Sequence, residues 1–94
     1  MKQSGWRDFL HACLKMNDPA EFQLFFDLFF TVEEKQNIAS RYLIIKELLA
    51  HELTQREICK VHQVSIAQIT RGSNALKTLD DSQLNALKDI LCVT

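Results

Sequence analysis

Residues 54–77 read TQREICKVHQVSIAQITRGSNALK. Two helix starts are written into this stretch. Thr54-Gln55-Arg56-Glu57 and Ser65-Ile66-Ala67-Gln68 both have capping-box form. In each, the hydroxyl takes a free backbone N–H and the acid or amide three residues on reaches back. They predict one helix over about 55–62 and a second over about 66–77, with a very tight turn between. Apolar residues at Ile58, Val61, Val64, Ile69 and Leu76 mark the inner side. The layout is that of a helix-turn-helix, whose second helix lies in the DNA major groove. Helical spacing sends Ile66, Ile69, Ser73 and Leu76 of the second helix toward the core. Ala67, Gln68, Thr70, Arg71, Asn74 and Ala75 then face outward. Amides, hydroxyls and Ala suit base edges and the thymine methyl.

Charge supports the same reading. The stretch carries Arg56, Lys60, Arg71 and Lys77 against Glu57 alone, or +3, so the other seventy residues sum to −4. The overall −1 thus hides a basic segment placed where a phosphate backbone would be met. The competing account is a helical hairpin with a solvated polar face. His62 and Gln63 stand where a helix-turn-helix usually has a large apolar residue and Gly. His62 has a ring that can pack, and Gln63 is expected to take the turn conformation at some strain. Gly72 sits inside a helix, where Gly costs ~0.8–1 kcal/mol relative to Ala. Close helix packing is one compensation, and a ligand approaching the backbone beside Arg71 is the other.

Outward from this segment, further helix starts are legible. Asp18-Pro19-Ala20-Glu21 offers a cap, Pro at the first helical position and an acid at the third. Thr31-Val32-Glu33-Glu34 is another capping box. Asp80 or Asp81 caps a last helix, and Ser4 a first. Six apolar-periodic segments result, over roughly 5–16, 19–30, 32–51, 55–62, 66–77 and 81–91, joined by short connections. Two Gly and one Pro in 94 residues are too few turn formers for a many-stranded sheet fold. The chain is read as a single all-α domain over 1–94.

The second segment, Phe22 to Phe30, is apolar nearly all round, and such a helix is buried. The third adds Tyr42, Leu43, Ile44, Ile45, Leu48 and Leu49. Hydrophobic residues make up 47% of the chain, more than a small monomer needs. An intertwined homodimer core accounts for the excess, and the central helix of a monomeric bundle is the other account. Cys13, Cys59 and Cys92 are odd in number and lack C-x-x-C spacing, which fits a reducing cytoplasm. No run has signal-peptide character or the length of a membrane span, so no membrane is expected. Catalytic motifs such as G-x-S-x-G, a P-loop or H-E-x-x-H are absent, and no enzyme is expected. A metal sensor built on His51, Cys59 and His62 is a rival, although Cys59-Lys60-Val61-His62 lacks a second ligand pair. A helix-turn-helix dimer without any ligand is another.

The sequence closely resembles the Trp repressor family. LTQRE at 53–57, ITRGSNALK at 69–77 and the run Ala39-Ser40-Arg41-Tyr42-Leu43-Ile44-Ile45-Lys46-Glu47-Leu48-Leu49 carry the resemblance over nearly the whole chain. It implies an all-α, six-helix, intertwined homodimer that binds L-tryptophan as corepressor, needs no metal and binds a palindromic double-stranded operator. By position, it implies that Arg41 and Arg71 flank the indole, with Arg71 pairing the carboxylate. Gly72 lets the ring lie close, Ile45 fills the floor, and Ala75 lines the wall. Leu28, Phe30 and Thr31 of the other subunit would hold the amino group. For DNA it implies Gln55, Arg56 and Lys60 near the backbone and adjacent bases. Ile66, Ala67, Gln68 and Thr70 would face the groove with Ser65 and Asn74, and Lys77 would sit on phosphate. Trp repressors are a type example of this docking and of base contacts made largely through water. Ala75 departs from the family's common Ser, and Gln68, Cys59, His62 and Gln63 also differ from its best-known members.

Overall fold

The computed structural model describes residues 3–93; Met1, Lys2 and Thr94 lie outside it. Six helices follow one another: α1 (Gln3–Cys13), α2 (Pro19–Phe29), α3 (Val32–Ala50), α4 (Gln55–His62), α5 (Ile66–Leu76) and α6 (Asp81–Leu91). Among the described residues there is no strand, and no helix is long and apolar enough to cross a membrane. The expected all-α class and the number of helices hold. Two units divide the chain after Lys35.

The starts follow their caps. The Asp18 carboxylate accepts the Glu21 N–H at 3.0 Å, and Glu21 reaches back to the Asn17 N–H. Reciprocal bonds join Thr31 and Glu34, Thr54 and Glu57, Ser65 and Gln68, and Asp80 and Gln83. Ser4 is no cap, because α1 already begins at Gln3. That helix also stops at Cys13 rather than 16. The Lys15 and Met16 N–H groups bond three residues back, to Ala12 and Cys13, and this tightening ends the helix. The link to α2 is therefore five residues long.

The first unit, through Lys35, holds α1, α2 and the first residues of α3. Its centre is a cluster of rings. Phe9 stacks on Trp6 at 5.5 Å and meets Phe25, Phe26, Phe29 and Phe30 at 5.2–6.3 Å between centroids. These are favourable aromatic separations. An ion pair joins Lys35 to Asp27. Within the single chain, no residue of α2 is buried. Leu24 and Leu28 are each 76% exposed and Phe29 55%. A helix that is apolar on every side cannot be covered by two short neighbours. An open apolar face of this kind marks an interaction surface.

The second unit holds the rest of α3 with α4, α5 and α6. Ile44, Ile58, Val64 and Ile69 form its main buried cluster, with Leu48, Leu53 and Cys59 packed against it, and Leu49 of α3 is buried as well. Ile44 comes from α3, Ile58 from α4, Val64 from the turn and Ile69 from α5, so the core pins the helix-turn-helix onto α3. Two residues expected to face inward do not: Val61 is 61% exposed and Ile66 55%. Each lies on the solvent side of its short helix, although core residues flank it in sequence. Ser73 and Leu76 are half-buried.

Gly72 explains how close α5 comes to α3. A Cβ built there would lie 2.9 Å from Ile44 Cγ2, 3.6 Å from Ile45 Cδ1 and 3.7 Å from Leu48 Cδ1. Packing alone thus requires this glycine. Gly72 also lines a cleft, the side on which the resemblance implies ligand approach. Ile44 is β-branched and fully buried, so it has little room to yield. Overpacking costs ~1–3 kcal/mol, which outweighs the ~1 kcal/mol of helix propensity that Ala would return. Gly72→Ala is therefore expected to lower unfolding stability in urea melts, not raise it.

Candidate ligand cleft and nucleic-acid interface

The turn between α4 and α5 is three residues, Gln63 to Ser65. Gln63 closes α4 in the left-handed conformation, φ 54° and ψ 48°. A non-glycine residue there carries backbone strain of ~1 kcal/mol or more. Its own N–H and that of Val64 both return to the Cys59 carbonyl. Val64 is then buried in the core, and this anchors the turn. His62, the residue before it, is held by Nε2 contact with Glu47 Oε2 of α3 at 2.6 Å, half-buried. A polar tether thus occupies the site where an apolar residue is usual. With Glu47 satisfied by His62, the end of α4 is tied to α3 as well as packed on it.

Two distinct surfaces arise on α5. Its exposed side carries Ile66, Ala67, Thr70 and Asn74, flanked by Ser65 before and Lys77 after. Gln55, Arg56 and Lys60 of α4 are exposed too. Small, amide and hydroxyl groups bordered by cations are what a base-reading helix offers. Gln68 departs from its outward assignment. Its Oε1 folds back to accept the Ser65 N–H at 2.8 Å, and the residue is half-buried on the other side of the helix.

That other side is a cleft of about 340 Å³ between α3 and α5. Asn37, Arg41, Ile44 and Ile45 of α3 form one wall, and Gln68, Arg71, Gly72 and Ala75 of α5 the other. The resemblance had singled out Arg41, Ile45, Arg71, Gly72 and Ala75, and all five are brought together here. Leu28, Phe30 and Thr31 belong to the first unit and do not line the cleft. Sequence reasoning missed Asn37 and Ile44, and it had placed Gln68 on the groove face instead. Asn37 lies one turn before Arg41 on α3, so helical spacing was a usable signal.

The cleft is cationic at its rim and apolar at its base. Among the described residues Lys35 pairs with Asp27 and His62 meets Glu47, and neither cleft guanidinium has a carboxylate partner. No carboxylate lines the site. Guanidinium planes stack on aromatic rings and pair with carboxylates, while Ile44, Ile45 and Ala75 offer apolar contact. The geometry suits a flat, apolar molecule with an anionic group. No three His, Cys, Asp or Glu side chains come together as a metal site among the described residues. His51, Cys59 and His62 therefore do not form the cluster that a metal sensor would need.

The cap of α4 has an electrostatic signature. The Glu57 carboxyl is held below its ordinary range by the Thr54 backbone N–H and then by the Thr54 hydroxyl bond. The ionised form favours the folded cap. Its stabilisation is complete at neutral pH and is lost as pH falls through the lowered folded value. In a carboxyl NMR titration, Glu57 is expected to protonate below the usual carboxylate range. Thr54→Ala should move its midpoint part of the way back up.

Comparison with known proteins places these features in context. The family model described as Trp repressor protein matches residues 4–91. A Trp operon repressor homolog from Chlamydia caviae is 52% identical over 88 residues, spanning 94% of this chain and 87% of its own. One from Chlamydia trachomatis serovar D is 56% identical over 79 residues, 84% of each chain. One from Vibrio campbellii is 34% identical over 86 residues, 92% of this chain and 86% of its own.

Proposed function

The chain belongs to the Trp repressor family, and on that premise we propose that it is a transcriptional repressor switched by L-tryptophan. In this reading the amino acid is a corepressor and the protein is a homodimer that binds a palindromic operator in the cytoplasm. It is a regulator and not an enzyme.

One observation carries the reading: a single helix, α5, presents a DNA-suited face on one side and a wall of the cationic cleft on the other. A ligand seated between α3 and α5 bears directly on how α5 lies. The indole would sit between the Arg41 and Arg71 guanidiniums, with Arg71 also taking the carboxylate. Ile45 and Ala75 would border the ring. A second copy would supply Leu28, Phe30 and Thr31 to hold the amino group and would cover the open apolar face of α2. The ligand then favours the conformer whose α5 fits the groove, a shift of population set by its differential affinity.

On DNA, Gln55, Arg56, Lys60 and Lys77 would meet phosphates and flanking bases. Ile66, Ala67, Thr70 and Asn74 would face base edges, with Ser65 at the helix start. Gln68, capping α5 from the cleft side, stands between ligand and groove.

A gel shift on a palindromic operator tests the switch. L-Tryptophan is expected to tighten binding by roughly 5- to 150-fold, the usual range of an allosteric coupling. Arg71→Ala should remove that gain. Equal affinity with and without tryptophan would leave a ligand-independent DNA-binding dimer in its place. In sedimentation at micromolar concentration the chain is expected to run as a dimer. A stable monomer would contradict the second copy's part in the site.

A further inference from the structure

Two contacts seat the helix-turn-helix on α3, and they differ in kind. Gly72 of α5 rests on Ile44. His62, the last residue of α4, meets Glu47 with Nε2 and Oε2 2.6 Å apart. Ile44 and Glu47 are three residues apart and share one face of α3. The first contact is aliphatic, like the core around it, and apolar attraction has no preferred direction. The second is a hydrogen bond to a carboxyl group, which restrains both distance and angle. Of the side-chain hydrogen bonds among the described residues, it alone ties α4 or α5 to α3. Both side chains are largely covered, 17% and 23% exposed. The bond also acts next to the turn. Gln63, the following residue, is left-handed, and Ser65 caps α5.

We propose that His62 and Glu47 are the positioning pair of the reading segment: their bond sets the angle at which α5 is presented to the operator, while the Gly72 contact sets its distance from α3. The proposal rests on the DNA-binding reading above. Held at its middle alone, α5 can pivot about Gly72, and its first turn, with Ser65, Ile66 and Ala67, swings furthest. Those residues would face the bases, so a pivot spreads the segment over orientations of which few fit the groove. Operator affinity then falls by the fraction that stays competent. The ligand cleft is affected less, because Arg71, Gly72 and Ala75 lie at the pivot or within one turn of it.

Fluorescence anisotropy of the full chain on a palindromic operator, at saturating L-tryptophan, tests this as a double-mutant cycle. A scrambled duplex at the same salt concentration corrects for the charge lost with Glu47. Glu47→Ala and His62→Ala are each expected to weaken operator binding roughly tenfold relative to the scrambled duplex, and the double variant no further. His62→Gln, whose amide can bring an N–H to the place of Nε2, should recover the wild-type affinity to within about twofold. Tryptophan affinity, measured by calorimetry without DNA, should stay within about twofold in every variant. Glu47→Ala puts a strong helix former inside α3, so its helical signal is kept whatever happens to His62→Ala.

Three results would overturn the assignment. A lower urea midpoint with unchanged operator affinity would make the bond a contributor to stability alone. Losses that multiply in the double variant would make the two residues independent. Failure of His62→Gln to recover binding would assign the effect to the packing of the ring. Each of these leaves the DNA-binding reading intact. Wild type binding the operator and the scrambled duplex alike would remove that reading and the proposal with it.

Discussion

The close approach of α5 to α3 at Gly72 and Ile44 governs the second unit. Where a side chain on α5 would collide at 2.9 Å, glycine lets the helix backbone settle against a buried isoleucine. That contact fixes the separation of the two helices. It brings Arg41 and Arg71 to opposite walls of one cleft, and it turns Ile66, Ala67 and Thr70 away from it. A wider crossing would open the cleft past the reach of two guanidiniums. The glycine thus serves packing first and the site through packing.

The remaining restraints act on the ends of the reading segment. Capping boxes set the first residues of α4 and α5, and the buried Val64 holds the turn between them. The bond between His62 and Glu47 holds the far end of α4 to α3. Side chains of α5 that line the cleft and those on its exposed face share one backbone, so displacement of one set moves the other. Gln68 joins the two most directly, since its amide closes the cap of α5 while its side chain borders the cleft.

Much of this was legible beforehand because it is local. A hydroxyl or carboxylate followed three residues later by an acid or amide fixes a helix start with no help from tertiary contacts, and α2 through α6 begin where such signals stand. Where the sequence misled, the deciding force was not local. The end of α1 depends on a 3₁₀-type tightening that no residue type announces. Ile66 has the spacing of a core residue, yet it lies on the exposed side of α5 while Ile69 of the same helix is fully buried. Gly72 carried two readings, packing and ligand approach, and the distance to Ile44 shows that packing by itself calls for a glycine. Arg41, Ile45, Arg71, Gly72 and Ala75 were found through resemblance. Asn37 and Ile44 emerged only from the shape of the cleft.

The aromatic unit has a consequence for the life of a newly made chain. The contacts of the helix-turn-helix are close in sequence, and contacts of that kind form quickly. The open side of α2 is different, because its leucines and Phe29 have nothing within the described unit to cover them. Until some surface closes over that face, each freshly synthesised chain carries an adhesive patch into a crowded solution. Misassociation competes with productive pairing during that interval, and it gains as synthesis outpaces encounter. For such a chain the rate of production, and not only its folding energy, sets how much reaches a usable form.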